Sequence, residues 1–428
     1  MIQQSGSASW RGRFFVYLRQ GRRTIFSQKN AKENEIMKKR VFAMLMACVM
    51  ALSLMACGSK SDSGDAGNNG GDSGVETIKL GGVGPLTGGY ANYGLSVQHG
   101  AQLAVDEINA AGGVSGKQLE LSFQDSQGDP ESAVAAYGKL MDWGMNVFLG
   151  GVLSGETASV VTAAKADDMF IMETTGSADK CIDSNDKAFR VCFYDSYQGT
   201  AAADYLNDNQ LATEVGVFYQ SDNDYSAGLY NAFVAECAKT GVTIKETQTF
   251  TTATNTDFST QVNALVNAGV KVVFIPIYAE EASTFLTQAK GKFAEDVYFF
   301  GADGLDGILG KVSQDVTIAD NVLMMTPFAA DSTAANVQAF VKAYEAKYSA
   351  TPDQFAADAY DAVYVVKAAV EAAGGSVSGA DLAAVMTSLT VEGVTGTMTW
   401  TADGNTNKAA SAILYKDGVG TLFGQNAA

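Results

Sequence analysis

From Thr77 onward the hydrophobic pattern changes period at short, regular intervals. "TIKLGGVGPL" is an apolar run that stops in glycines. "YGLSVQHGAQLAVDEINAAGG" then places Val97, Ala101, Ala104, Val105 and Ile108 at helical spacing before Gly112 and Gly113 stop it. "KQLELSFQD" alternates Leu119, Leu121 and Phe123 as a strand does, and "PESAVAAYGKLMDW" opens a helix with Pro130 in its first turn. "MNVFLGG", "GETASVVTAAKADD" and "MFIMETT" continue as strand, helix, strand. Strands separated by helices cannot pair as hairpins. They form βαβ units, and therefore a parallel sheet covered by helices on both faces.

The rhythm restarts after about Gln198. "EVGVFYQ", "VTIKETQTF", "VKVVFIPIY" and "DVYFFGAD" read as strands, with "AGLYNAFVAECAKT", "DFSTQVNALVNAG" and "EEASTFLTQAK" as the helices between them. Two α/β halves are expected, each with its own sheet. A further strand "NVLMMTPF", two long helices and a short one follow. The chain then ends in "TGTMTW" and "AASAILYKDG", read as two strands joined by the turn "ADGN".

Charge and histidine content narrow the chemistry. The 428 residues carry a net charge of −18. Ten of the 29 basic residues but only 2 of the 47 acidic ones precede Cys57, which leaves the body at −26. Such a body repels phosphate backbones, so nucleic acid is not an expected partner. His99 is the single histidine and sits in a helical stretch. Histidine-based metal sites and Ser-His or Cys-His catalysis lose their footing, and no cofactor is expected. The loops also lack the GxxxxGK[ST] cradle and the GxGxxG turn, so nucleotide chemistry is not indicated.

The front end is of another kind. Lys38, Lys39 and Arg40 precede the apolar run Val41 to Ala56, which is too short for a membrane span of about 20 residues but suits a signal peptide. "LMAC" resembles a bacterial lipobox, which makes residues 37–56 a lipoprotein signal peptide and Cys57 the acylated residue. Gly58 to Gly74 then holds almost nothing to bury, so 57–76 is expected to be an anchor and flexible tether. Acylation would hold the protein on the extracytoplasmic face of a bacterial cell membrane without spanning it. Residues 1–36 fit none of this, and translation is expected to start at Met37.

Loops at the carboxyl ends of parallel strands bind ligands in open α/β sheets. Here they read "GGVGPLTGGYANYG", "GGVLSGET", "ETTGSAD", "YQSDNDYSAG", "IPIYAEEA" and "GADGLD". "GVGPLTGGYANYG", together with "GAQLAVDEINAAGGVSGKQLELSFQDSQGDPESAV", closely resembles the branched-chain amino acid (Leu/Ile/Val) binding proteins. These are ligand-capturing subunits of ABC importers with the type I periplasmic-binding-protein fold, and the likeness runs from about Thr77 to Gly420. It implies two Rossmann-like lobes joined by a three-segment hinge. Lobe 1 would span 77–196 and 328–399, and lobe 2 would span 197–327 and 400–428.

The resemblance also implies a site. Ser154, Ser177 and the amide of Thr175 would hold a ligand carboxylate. Asp303, where glutamate is frequent in the family, would meet the ammonium, assisted by Tyr278. Tyr93, Tyr225 and Phe355 would line the side-chain pocket. Hydroxyl and amide donors at one end and a carboxylate at the other suit a zwitterion without any appeal to family. Ser154 and Ser177 also suit helix N-caps, Tyr225 a helix start, and Asp303 a turn. Cys181 and Cys192 flank ten residues and could be bonded or reduced; Cys237 reads as a small core residue. The expected protein is a monomeric, non-enzymatic binding lipoprotein with an amino acid ligand and an ABC-transporter permease as partner. Another amino acid, an amide or urea, or a sensor's solute, is the alternative.

Overall fold

A computed structural model describes residues 77–183 and 185–423, so the readings made for residues 1–76 lie outside it. The first half is a five-stranded sheet. Its strands are β1 (Thr77–Gly84), β2 (Gln118–Asp125), β3 (Val147–Phe148), β4 (Phe170–Glu173) and β5 (Ala188–Arg190), in the order β2-β1-β3-β4-β5. Every neighbouring pair is parallel. The crossovers are helices α1 (Ala91–Ala110), α2 (Pro130–Trp143) and α3 (Ser154–Ala164). Helix α2 shows how local chemistry sets an element's limits. The Asp129 side chain accepts the Ser132 amide at 2.8 Å, Pro130 fills the first turn, and Gly144 ends the helix at φ 84°.

Helix α4 (Asp195–Asp208) leads into the second half. There β6 (Glu214–Gln220), α5 (Asp224–Thr240), β7 (Thr243–Phe250), α6 (Ser259–Ala268), β8 (Val272–Phe274), α7 (Ala279–Ala289), β9 (Tyr298–Gly301), the short α8 (Ile308–Lys311) and β10 (Val322–Thr326) repeat the pattern. The parallel strands lie in the order β7-β6-β8-β9-β10, which is the order of the first sheet over again. After β10 the chain forms α9 (Ala335–Tyr348), α10 (Gln354–Ala372) and α11 (Gly379–Met386). Helix α10 packs along α1, and Gly100 permits the approach, because a Cβ there would lie 2.0 Å from the Ala356 carbonyl.

The expected terminal hairpin is not what forms. Strands β11 (Thr390–Gly393) and β12 (Gly396–Thr399) pair with each other through their own turn. Strand β13 (Ser411–Lys416) instead joins the second sheet antiparallel to β10 and pairs onward with β14 (Val419–Leu422). The "ADGN" turn is occupied elsewhere: the Gly404 carbonyl accepts the Arg190 amide at 3.1 Å, docking this segment on β5. Lys408 is buried against Asp358 of α10 in an ion pair that holds the same segment. No helix among the described residues is long and apolar enough to cross a membrane.

In each half the sheet order reverses beside its first strand, between β1 and β3 and between β6 and β8. Loops diverge at such switch points and leave a crevice beyond the carboxyl ends of the strands. The two crevices supply the groups that meet between the halves.

Candidate functional site

The loop after β4 is built around Glu173. This fully buried carboxylate accepts the amides of Gly176 (2.7 Å), Thr175 (3.1 Å) and Gly151 (3.2 Å). Gly150 lies at φ 78°, and a Cβ there would come within 2.1 Å of a Glu173 oxygen. Burial pushes the Glu173 carboxyl up to about 7, although those amides and the nearby Arg190 favour its charge. Arg190 is itself fully buried and donates to the Ser177 (2.7 Å), Ala178 (3.2 Å) and Asp179 (3.1 Å) carbonyls. Together these two residues stretch residues 174–179 into a fixed shape facing the second half.

A narrow cleft, nearly closed, lies between the halves. All eight residues singled out above as ligand-contacting line it: Tyr93, Ser154, Thr175, Ser177, Tyr225, Tyr278, Asp303 and Phe355. Val152, Leu153 and Gly304 complete the wall. The residues come from α1, the start of α3, the loop after β4, α5, the loop before α7, the turn after β9, and α10.

Their partners refine the sequence reading. Neither Ser154 nor Ser177 caps a helix; Leu153 and Ala178 hold those positions. The Ser154 hydroxyl instead accepts the Ala178 amide at 3.1 Å and keeps its own proton to donate. The Thr175 amide is not free, because Glu173 takes it, and the Thr175 hydroxyl donates to the Val152 carbonyl at 3.0 Å. Asp303 accepts the Tyr225 hydroxyl and the Gly304 amide, the latter at 2.8 Å, while its own amide donates to the Gln198 side-chain oxygen at 3.1 Å. Tyr225 is thus the tyrosine in contact with Asp303 in this structure. Its hydroxyl also accepts the Gly304 amide at 2.7 Å. Tyr278 lies flat on Tyr225, with ring centroids 4.7 Å apart, and its hydroxyl accepts the Ser154 amide from the other half. Burial raises the Asp303 carboxyl to about 6, against the pull of its donors.

The halves are drawn together around this cavity. The Tyr93 hydroxyl donates to the Gly304 carbonyl (2.6 Å) and accepts the Ala279 amide (2.8 Å). Its ring meets Phe355 edge to face at 5.0 Å. Tyr90 donates to Glu281 at 2.5 Å, and the Gln354 side chain donates to the Asp303 carbonyl at 3.3 Å.

Three groups escaped the sequence reading: Glu173, Arg190 and Asp195. Asp195, the first residue of α4, is fully buried and its amide donates to the Ser177 carbonyl at 2.9 Å. The only hint in the sequence was an acid at the end of the apolar run "MFIME" and an isolated arginine in "AFRVCF". Cys181 and Cys192 are free buried thiols, and Cys237 is buried beside α5's neighbours in the second core. The two sulfurs left open as a pair each have another partner, the Ser154 carbonyl at 3.5 Å and the Gly176 carbonyl at 3.7 Å. Among the described residues no cluster of side chains suits a metal ion.

Comparison with known proteins places this geometry in context. A family described as periplasmic binding protein matches residues 77–417. A Leu/Ile/Val-binding protein homolog of Brucella melitensis is 29% identical over 348 residues, which is 79% of this chain and 91% of the relative. The Leu/Ile/Val-binding protein BraC3 of Rhizobium johnstonii is 31% identical over 73% of this chain and 83% of its own. Among solved structures, the branched-chain amino acid transporter substrate binding protein LivJ of Streptococcus pneumoniae, in complex with isoleucine, is 29% identical. It superposes with a TM-score of 0.74, covering 81% of this chain and 98% of its own.

Proposed function

The chain belongs to the periplasmic binding protein family, a family of transporter substrate-binding proteins rather than enzymes, and we propose that it captures a branched-chain amino acid for an ABC importer. The observation that carries this reading is the polarity of the cavity. Hydroxyl donors from Ser154 and Ser177 stand on the first half, and the Asp303 carboxylate stands on the second. A zwitterion bridging them satisfies both at once. The α-carboxylate is received by Ser154 and Ser177, and the ammonium by Asp303, which Tyr225 orients. Thr175 contributes wall rather than a free amide. Tyr93, Tyr225, Tyr278 and Phe355 enclose the aliphatic side chain, and the exclusion of water strengthens every polar contact inside.

Capture proceeds by closure of two lobes, 77–196 with 328–399 and 197–327 with 400–428, about three crossing segments. Binding energy favours the closed state because the ligand touches both lobes only there. The relatives' names support amino acid transport, and the permease of the same importer is the partner that receives the closed, loaded protein. Cys57 is the lipid anchor, and 58–74 is the tether that lets a monomeric body move near the membrane. Calorimetric titration with the twenty amino acids tests the reading. Tight binding of leucine, isoleucine or valine is expected. Heat from no amino acid, with heat from an amide or urea, overturns it.

A further inference from the structure

We infer that the pocket between strands β10, β13 and β14 and the start of α10 is a second binding site, separate from the cleft, and that it takes a small organic cation. This does not depend on which solute the cleft captures. One wall comes from the second sheet, with Met324 on β10 and Ile413 and Tyr415 on β13. The other is the segment that leaves β10, with Phe328 and Asp331, and the approach to α10, with Asp353. Asp306, beyond the turn after β9, completes the lining between them. The free space is about 250 Å³, room for several non-hydrogen atoms rather than for a lone ion. The pocket adjoins the cleft without sharing its lining. Phe355 lines the cleft, and Gln354 reaches from the pocket side to the Asp303 carbonyl at 3.3 Å.

Asp306 and Asp353 meet in this pocket without a cation. One Asp353 oxygen starts α10 by accepting the Ala356 amide at 2.9 Å, and the other accepts the Ser96 hydroxyl at 2.6 Å. Asp306 accepts the Gly307 amide at 2.9 Å and, at 3.0 Å, the amide of Gln354, the residue directly after Asp353. All of these donors are neutral. No lysine, arginine or histidine lines the pocket, and neither carboxylate forms an ion pair among the described residues. Neutral donors occupy the oxygens but leave two like charges side by side in a half-buried space, which a cation relieves. Burial and the charge of Asp306 raise the Asp353 carboxyl accordingly.

The Tyr415 hydroxyl points to the same occupant. Tyr415 is 8% exposed and lines the pocket, and its hydroxyl makes no hydrogen bond, although Asp306 and Asp353 both act on it. An alkylammonium uses every part of this lining. The carboxylates receive its charge, the phenol oxygen accepts one of its three N–H bonds, and Met324, Phe328 and Ile413 cover the alkyl stem. A bare metal ion would leave that apolar wall without a role, and no cluster of side chains among the described residues suits one.

The test titrates n-butylammonium chloride into the full chain at physiological salt by calorimetry, with n-butanol as the uncharged control. Saturable binding of the amine is expected, and none of the alcohol. Asp306→Asn and Asp353→Asn should each weaken it roughly ten- to a hundredfold, the range of a charge-assisted contact, whereas Asp303→Asn in the cleft should leave it unchanged. Ala330→Trp, on the half-buried edge of the pocket, keeps every charge and should block the amine by filling the space, so it serves where an acid variant does not fold. Heat that does not saturate, or that these pocket variants leave unaltered, overturns the site, because it then reflects only the diffuse attraction of an acidic body for cations. Binding lost in Asp303→Asn alone overturns it as well, since the amine would then sit in the cleft. Butanol bound as tightly as the amine overturns the cation.

Discussion

Tyr93→Phe isolates the contribution of closure from that of folding. The substitution removes one oxygen atom and leaves the ring against Phe355. That oxygen ties α1 in the first half to the Gly304 carbonyl at 2.6 Å and the Ala279 amide at 2.8 Å in the second. Tyr93 is 2% exposed, so in the closed form both backbone groups lose their partner without gaining water. Each unsatisfied buried group costs about 1–3 kcal/mol, and relaxation recovers part of the second, so the closed state should rise by about 2–3 kcal/mol. With the halves apart, water hydrates the same two groups and the cost vanishes. The penalty therefore falls on ligand affinity, which should weaken roughly thirty- to a hundredfold at 1.4 kcal/mol per decade. Calorimetry on wild type and variant measures it, with urea unfolding of the unliganded proteins as the control. An unliganded unfolding free energy that drops by the full 2–3 kcal/mol would refute the reasoning, because the bond would then belong to the fold and not to a clamp.

Two further outcomes follow from the same geometry and from the front end. Asp303 must be ionised to meet an ammonium, and its carboxyl is raised to about 6, so affinity should fall as pH drops through that value. The ionised fraction at pH 5 is about a tenth, which predicts about tenfold weaker binding than at pH 7, and Asp303→Asn should flatten the profile; a profile unchanged in that variant places the titration elsewhere. If Cys57 carries the lipid anchor proposed above, Cys57→Ser should release the protein from membranes into the soluble fraction; unaltered membrane retention on fractionation would exclude lipid anchoring at this residue.

The two-sheet plan was legible because parallel strands buried on both faces read as continuous apolar runs. Phe170–Glu173, Val272–Phe274 and Val322–Thr326 are each buried throughout. The end of the chain was not legible for a complementary reason. "ADGN" carries a sound local turn signal, but its glycine is claimed by Arg190, more than two hundred residues upstream, and the strands on either side find other neighbours. Local signals lose where a distant partner offers burial as well as a hydrogen bond. The eight cavity residues could be named because the resemblance assigned them, and most sit in loops or helix starts that follow parallel strands, although Tyr93 and Phe355 lie within α1 and α10. What each one bonds to could not. Tyr278 and Tyr225 both lie at the cleft, and which of them holds Asp303 depends on the packing of two helices that the sequence leaves open.

The deeper illegibility concerns charge. The body's excess of acidic residues is spread along the chain, and nothing local marks which of them face inward. Among the described residues the fold buries Glu156, Glu173, Asp195, Glu281, Asp303, Asp358 and Asp361. Six of these have compensation built in. Glu173 takes three amides beside Arg190, Asp358 pairs with Lys408, and Asp361 takes the Val394 and Thr395 amides at 2.8 and 2.9 Å. Glu156 takes the Leu153 amide, Glu281 the Tyr90 hydroxyl, and Asp303 the Tyr225 hydroxyl and the Gly304 amide. Asp195 faces the Ser177 hydroxyl and the Arg190 guanidinium. Which acids turn inward is thus set by where amides, hydroxyls or a cation wait for them, and many of those donors come from distant parts of the chain.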